Sequence, residues 1–406
     1  MSSIPKSERK HIVFIGKRNA GKSSLVNAFA NQELSIVSEI AGTTTDLVSK
    51  SMELLPFGPV VLVDTAGYDD ESPLGSKRIE KTRKALSMAD YVLLILPANE
   101  ILSLLDAAYI KFIAAEKLPF SIVITKTDLP ENSLLIKQLQ EHNLSFLKVN
   151  IFSAESITIL RNTVSSSIPK EVENTLAGDL IKQGDVVVLV TPIDLGAPKG
   201  RLILPQVQTI RDSLDSSAIT LIVKDKELRA ALDVLKSPPA LVICDSQAIM
   251  RVNADVPPDV KLTTFSILMA RHKGDLRIFM KGVKIIDKLQ NGDKVLIAEA
   301  CTHHAQEDDI GKIKIPRWLN NYLKKNLQFE FASGMDFPEN LNEYKLIIHC
   351  GSCMLTRKMM LSRLKQAAFQ NIPIVNYGML ISYIHGAFPR AIEIFPEALD
   401  EWKSLD

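Results

Sequence analysis

The sequence predicts an α/β protein of three domains: an N-terminal doubly wound P-loop domain, a small α/β middle domain and an α/β C-terminal metal-cluster domain. Three observations predict it. Short β-rich runs, apolar on both faces, alternate with helical stretches, as expected of a parallel sheet covered by helices. A phosphate loop sits directly between the first of these runs and the helix that follows. The chain has 406 residues, which at roughly 150 residues per domain suggests two or three cores. The expected boundaries are 1–170, 171–257 and 258–406.

In the first domain the strand candidates are 11–15, 60–63, 91–96, 120–125 and 146–149. Ser165-Ser166-Ser167 followed by Pro169 reads as a linker. The middle domain offers strands at 186–190, 219–223 and 241–244, with helices near 205–214 and 226–235. It has no phosphate loop and no dense polar cluster, so it reads as a packing or dimerisation module. Pro257-Pro258 marks the next boundary. The third domain opens with two helices, for which Thr263 and Thr264 are cap candidates and Gly274 a stop. Leu276, Phe279, Met280, Val283 and Ile286 recur at helical spacing and read as core. Strands are expected at 295–300, 328–331, 346–348 and 372–375.

Composition narrows the function classes. Apolar residues make up 46% and charged residues 23%, an ordinary globular balance. Forty-eight basic against 47 acidic side chains leave a net charge of +1, so no whole-chain positive field favours nucleic acid or an anionic membrane. No apolar run approaches the roughly 18 residues that span a bilayer. The apolar stretch 12–15 is too short for a signal-peptide core. The chain is therefore expected to be cytoplasmic, with no membrane and no nucleic-acid partner. There are only 4 cysteines. In a reducing compartment they make no disulfide framework, and clustered thiols point to metal or redox chemistry.

Gly16-Lys17-Arg18-Asn19-Ala20-Gly21-Lys22-Ser23 is a full Walker A match, with Ser24 opening the helix behind it. Its backbone N–H groups can wrap phosphates at a helix N-terminus, Lys22 can reach the β and γ oxygens, and the Ser23 hydroxyl can ligate Mg2+. Asp64-Thr65-Ala66-Gly67 follows the second strand. Asp64 there can hold Mg2+ through water, and the Gly67 N–H can sense the γ-phosphate. Thr125-Lys126-Thr127-Asp128 ends the 120–125 strand. A carboxylate at Asp128 can accept both guanine N1–H and N2–H, which adenine does not offer. A site built for such bonds rejects the wrong base by roughly four orders of magnitude. Lys126 can lie along the ring, and Ser153-Ala154 can present an N–H to guanine O6. The ligands are then GTP and GDP.

These residues resemble the translation-factor-related class of P-loop GTPases over the first 165 positions. Thr125 stands where that class has Asn, which is expected to weaken a loop-tethering hydrogen bond while leaving Asp128 in place. Gly42-Thr43-Thr44-Thr45-Asp46 resembles the first switch of the TrmE-like tRNA-modification GTPases. That resemblance makes Thr44 the Mg2+-binding threonine and Asn19 a potassium ligand. Tyr68 stands where Ras-like enzymes place the water-positioning Gln, so slow turnover assisted by another group (Asp70 or Glu71) or by K+ is expected. Lys22, Thr44 and Gly67 are the expected catalytic residues.

Cys301-Thr302-His303 directly follows one third-domain strand, and His349-Cys350-Gly351-Ser352-Cys353 follows another. In a parallel sheet both strand ends open on the same edge. Two distant segments would then bring together three thiols and imidazoles. Spacing alone leaves two readings open: a closed structural zinc site, or a 4Fe–4S cluster with three thiolates and an exchangeable fourth ligand. Cys244 alone reads as a small buried hydrophobe.

A GTPase head joined to C-x-H and H-C-x-x-C closely resembles the HydF family of FeFe-hydrogenase maturation GTPases over the whole chain. The resemblance implies a scaffold that receives the diiron subcluster precursor from radical-SAM maturases and delivers it to apo FeFe-hydrogenase. It also implies a homodimer through the middle domain, with pairing into tetramers in some members. On this reading Cys301, Cys350 and Cys353 bind iron, and His303, His349 or Glu307 occupies the fourth position weakly. The alternative from a different class is an RNA- or ribosome-associated GTPase with a structural zinc domain.

Overall fold

The structure, a computed structural model, describes residues 5–30, 48–69, 75–169, 175–192, 202–300, 309–334 and 337–405. Thr44, Asp70, Glu71, Cys301, His303 and Glu307 lie outside the described residues. The chain divides into two compact units, Met1–Val172 and Glu173–Asp406.

The first unit runs β1 (Lys10–Gly16), α1 (Lys22–Ala30), β2 (Val48–Leu54), β3 (Gly58–Asp64), α2 (Gly75–Met88), β4 (Tyr91–Pro97), α3 (Leu104–Ala115), β5 (Phe120–Thr125), α4 (Ser133–Glu141), β6 (Phe146–Lys148) and α5 (Ala154–Ser167). Its sheet has the order β2-β3-β1-β4-β5-β6. All neighbours are parallel except β2, which pairs antiparallel with β3. β4 is buried along its whole length, the burial its unbroken apolar run requires. The expected strands are all present. β2 is an addition, and its signal is only partial: polar Ser49, Ser51 and Glu53 alternate with positions that include the buried Met52 and Leu54. Lys50 interrupts that alternation, and a one-sided edge strand tolerates it.

The second unit holds two four-stranded, all-parallel sheets. The middle one is built from β7 (Val186–Val190), β8 (Ile219–Val223), β9 (Leu241–Cys244) and β10 (Lys261–Thr264), in the order β10-β9-β7-β8. Its helices are α6 (Leu204–Asp215), α7 (Leu228–Asp233) and α8 (Ile249–Asp255). Because β10 pairs with β9 in register, this sheet continues past Pro257-Pro258 to Thr264. Thr264 then caps α9 (Phe265–Lys273), which stops at Gly274.

α10 (Leu276–Ile285), β11 (Lys294–Glu299), α11 (Ile315–Leu323), β12 (Gln328–Ser333), β13 (Leu346–His349), α12 (Arg357–Phe369), β14 (Ile374–Asn376), α13 (Tyr377–Ile384) and α14 (Pro396–Ser404) complete the chain. Their sheet has the order β12-β11-β13-β14. One continuous apolar core, from Leu176 to Ala398, runs through both sheets of this unit. Gly282 on α10 is fixed by that packing: a Cβ there would lie 2.2 Å from the Ile374 carbonyl oxygen.

The helix behind the phosphate loop is held at its far end by a buried cation. Arg161 on α5 donates from Nε to the Phe29 carbonyl at 2.9 Å and from Nη2 to the same oxygen at 2.6 Å. Nη2 also reaches the Ala28 carbonyl at 3.2 Å. Among the described residues these carbonyls belong to the last turn of α1, where a helix leaves acceptors for partners outside it. Arg161→Met keeps the stem but strands those acceptors, so it should destabilise the first unit by about 2 kcal/mol. Urea unfolding of the full chain, followed by a probe in that unit, checks it; a loss under about 0.5 kcal/mol would mean that water replaces the guanidinium.

Candidate nucleotide site and cysteine loop

β1 lies between β3 and β4, with Phe14 opposite Asp64 and Gly16 opposite Ile95. The loop after β1 and the segment after β3 therefore leave the sheet on one edge. Gly16 permits the close strand approach, since a Cβ would sit 2.6 Å from the Ile95 carbonyl oxygen. Asn19 and Gly21 take positive φ (58° and 90°), which bends the loop into its turn.

Lys22 lies folded inside this loop. Its ammonium donates to the Gly16 carbonyl at 2.9 Å and to the Lys17 carbonyl at 2.6 Å. Burial pulls its pKa below the ordinary lysine value, against the opposing pull of Asp64 and Asp69. Ser23 Oγ donates to Asp64 Oδ2 at 2.5 Å. Asp64 Oδ1 is buried without a hydrogen-bond partner among the described residues, and burial raises the pKa of this carboxyl despite the Ser23 bond and Lys22. A hydroxyl beside a carboxylate with one unmatched buried oxygen suits a hydrated Mg2+.

Gly67 lies hard against the phosphate loop: an added Cβ would be 2.5 Å from Arg18 N and 2.8 Å from its Cα. The Arg18 N–H donates to Asp69 Oδ1 at 2.6 Å. Tyr68 is buried, with its ring stacked on Tyr109 at 4.3 Å between centroids and its hydroxyl donating to Asp106 Oδ1 at 2.5 Å. Burial first, and then Asp106, raises its pKa. The phenol is thus a structural anchor.

Thr125 does tether the loop. Its hydroxyl donates to the Ala20 carbonyl at 2.6 Å. Lys126 has φ 54°, and Asp128 beyond it is exposed. Ser153 caps α5 through the Ser156 N–H at 3.2 Å, which places Ala154 at that helix N-terminus. β5 and β6 are adjacent and parallel, so the base motif and the Ser153 turn leave the same sheet edge.

In the second unit Ala298 on β11 pairs with His349 on β13. Cys350 and Cys353 follow, both partly exposed. The Ala300 N–H donates to Cys350 Sγ at 3.0 Å, and Ala300 is the residue covalently joined to Cys301. Thr356 caps α12 just beyond, through the Met359 N–H. His349, expected as a weak metal ligand, is instead fully buried with both ring nitrogens in use. Nε2 accepts from Arg363 Nη1 at 2.9 Å, while Nδ1 faces the Cys350 carbonyl at 3.0 Å and Ser352 Oγ at 3.2 Å. A guanidinium only donates, so it fixes the proton on Nδ1. Burial, reinforced by Arg363, holds the ring neutral, with its pKa at about 3.

Among the described residues no group of three or more Cys, His, Asp and Glu side chains forms a metal site. Cys244 is buried at the end of β9, as a small core residue is. A cavity of about 480 Å³ lined by parts of α7 and α8 and by Arg390 holds neither cysteine nor histidine. Sequence reasoning missed Asp106 and Arg363. Ser103-Leu104-Leu105-Asp106 carries a capping-box signature that could have drawn attention to the first. No local signal marks Arg363.

Comparison with known proteins follows the same division. Residues 11–126 match the model of the 50S ribosome-binding GTPase family. Residues 176–274 match that of the hydrogen maturase F dimerization domain, and 277–394 that of the hydrogen maturase F tetramerization domain. The tRNA modification GTPase MnmE of Listeria welshimeri is 41% identical over 128 residues, covering 31% of this chain and 27% of the relative. GTPase Der of Mycoplasmopsis pulmonis is 34% identical over 187 residues, covering 42% and 43%. The chain thus spans less than half the length of these curated relatives. Among solved structures, Era of Aquifex aeolicus bound to GDP and aluminium fluoride is 19% identical, covers 60% of this chain and 97% of its own, and gives a TM-score of 0.33. The N-terminal unit is a P-loop GTPase domain.

The contact between Gly67 and the loop yields a direct test. Gly67→Ala forces two backbone segments apart and moves the N–H that the sequence expects to meet the γ-phosphate. GTP hydrolysis should fall by roughly tenfold or more, while GDP affinity stays near the parent value. Phosphate release and a fluorescent-GDP titration measure the two, and an unchanged rate would remove Gly67 from the hydrolytic site.

Proposed function

The chain belongs to the hydrogen maturase F family, and from that premise we propose that it is a GTP-hydrolysing scaffold that holds a 4Fe–4S cluster and carries the diiron precursor to apo FeFe-hydrogenase. Radical-SAM maturases are the donors in this reading. The observation that carries it is one polypeptide joining a phosphate-loop GTPase domain to two hydrogen maturase F domains, the second of which spans the cysteine loop.

In the GTPase domain Lys22 would leave its loop carbonyls for the β and γ oxygens. Ser23, Thr44 and, through water, Asp64 would hold Mg2+. Backbone N–H groups between Gly16 and Ser24 would line the phosphates, and Asn19 at the exposed rim would serve K+, which adds positive charge where the transition state develops negative charge. Gly67 would present its N–H to the γ-phosphate. Asp128 would select guanine, with Lys126 along the ring and Ser153-Ala154 at O6, while Thr125 keeps the base motif tied to the loop.

In the second unit Cys301, Cys350 and Cys353 would supply three thiolates. Their setting fits: Cys350 Sγ already receives a backbone N–H, and Cys353 precedes the N-terminus of α12, whose field favours a thiolate. When bound, the cluster supplies an iron with an exchangeable fourth ligand for the diiron cargo. His303 and Glu307 are the candidates for that position. His349 instead orients the Cys350 carbonyl from below.

Metal analysis after anaerobic reconstitution decides between this reading and a zinc-bearing alternative. The parent should hold about four irons with matching sulfide. Cys301→Ser, Cys350→Ser and Cys353→Ser should each lose stable cluster while hydrolysing GTP normally. One zinc without sulfide would sink the proposal.

Assembly follows from the middle sheet. Among the described residues β8 is one of its two edge strands, and Ile219 and Ile222 are 61% and 44% exposed. An unpaired apolar edge invites pairing with a second copy. Ile219→Lys combined with Ile222→Lys should reduce the mass seen by light scattering to a smaller assembly; an unchanged mass would place the interface elsewhere.

A further inference from the structure

We propose that Asp106 is a positioning residue of the GTP site, holding the Asp64–Tyr68 segment over the phosphate loop. It lies on α3, outside every nucleotide motif, and is fully buried. Its two oxygens serve two segments of the site. Oδ1 accepts the Tyr68 hydroxyl at 2.5 Å, and Oδ2 faces the Lys17 ammonium at 3.1 Å. Oδ2 also accepts from Ser103 N at 2.8 Å and from Ser103 Oγ at 2.6 Å, which locks the carboxylate to the first turn of α3. Lys17 is the second residue of the phosphate loop, and Tyr68 directly follows Gly67. One buried carboxylate therefore joins the loop that receives the phosphates to the segment that must meet the γ-phosphate.

The arrangement is more than a helix cap. A cap needs one acceptor for Ser103 and has no use for Tyr68 or Lys17. Here the second oxygen and a cation are committed to the nucleotide segments, and the Tyr68 ring is stacked on Tyr109 from the same helix. With Tyr68 fixed, the Gly67 backbone has little freedom to leave its contact with Arg18. Because Gly67 N–H addresses an oxygen that GTP has and GDP lacks, the anchor acts on GTP selectively.

This inference rests on the GTP reading of the site, and the experiment separates the two. Fluorescent GDP and a non-hydrolysable GTP analogue are titrated into the full chain. Asp106→Asn retains an acceptor for the Ser103 cap but turns an amide donor toward the Tyr68 hydroxyl and removes the charge that faces Lys17. It should weaken the GTP analogue by about tenfold relative to GDP, the scale of one hydrogen bond to a charged group. Tyr68→Phe, which removes one hydroxyl and keeps the stacked ring, should produce a loss in the same sense. The double variant should lose no more than the worse single one. Ser103→Ala, which removes one hydroxyl bond to the carboxylate but leaves its contacts with Ser103 N, Tyr68 and Lys17, should change the ratio far less than Asp106→Asn. Equal weakening of both nucleotides in Asp106→Asn, or independent additive losses in the double variant, would overturn the positioning role. A parent chain that binds neither nucleotide would overturn the GTP reading, and this role with it.

Discussion

The parallel register of β1 with its two neighbours is the constraint on which the nucleotide site depends. Phe14 lies opposite Asp64, Gly16 opposite Ile95, and Pro97 opposite Thr125. Parallel strands share one polarity, so the loops after β1, β3 and β5 all leave the sheet on one edge. Had β3 slipped by one residue, its side chains would have exchanged faces, and Asp64 would no longer meet Ser23. The glycine at position 16 and the Thr125 hydroxyl on Ala20 secure that register from either side of the loop.

The second unit applies the same rule to different chemistry. β11, β13 and β14 are parallel neighbours, and the cysteine loop emerges where β13 ends. Beneath the loop lies a polar floor. Arg363 donates to His349 Nε2 and to the Gly334 carbonyl, and its guanidinium lies 4.8 Å from the Phe337 ring centroid. Burial lowers the Arg363 pKa to about 10, still well above neutrality, so it stays a cation. The thiols stand on the rim above this floor and are partly exposed.

Three buried ionic groups, Arg161, Asp106 and Arg363, share one design. Each is removed from water, and each is matched by several polar partners, at least one of them from another element of the chain. A buried charge with a single partner costs more than its attraction returns, whereas several hydrogen bonds offset the lost hydration. Such groups fix geometry. Arg161 holds the far end of the helix behind the phosphates, Asp106 joins two segments above it, and Arg363 sets the tautomer of the histidine under the cysteine loop.

The sequence alone determined the fold class, all but one strand of the N-terminal sheet, and the phosphate loop between its first strand and helix. These depend on local physics: apolar runs with the period of a strand, glycines at turns that need positive φ, and residue spacing along a few positions. β2 was missed because Lys50 breaks its alternation and edge strands carry the weakest pattern. Only the tertiary structure decided that Tyr68 is anchored on Asp106, that Thr125 reaches Ala20, and that His349 is enclosed beside Arg363. Tyr68 meets Asp106 across 38 positions and Thr125 reaches Ala20 across 105. What a polar side chain does is set by its burial and by the partners that the fold brings to it from that far along the chain.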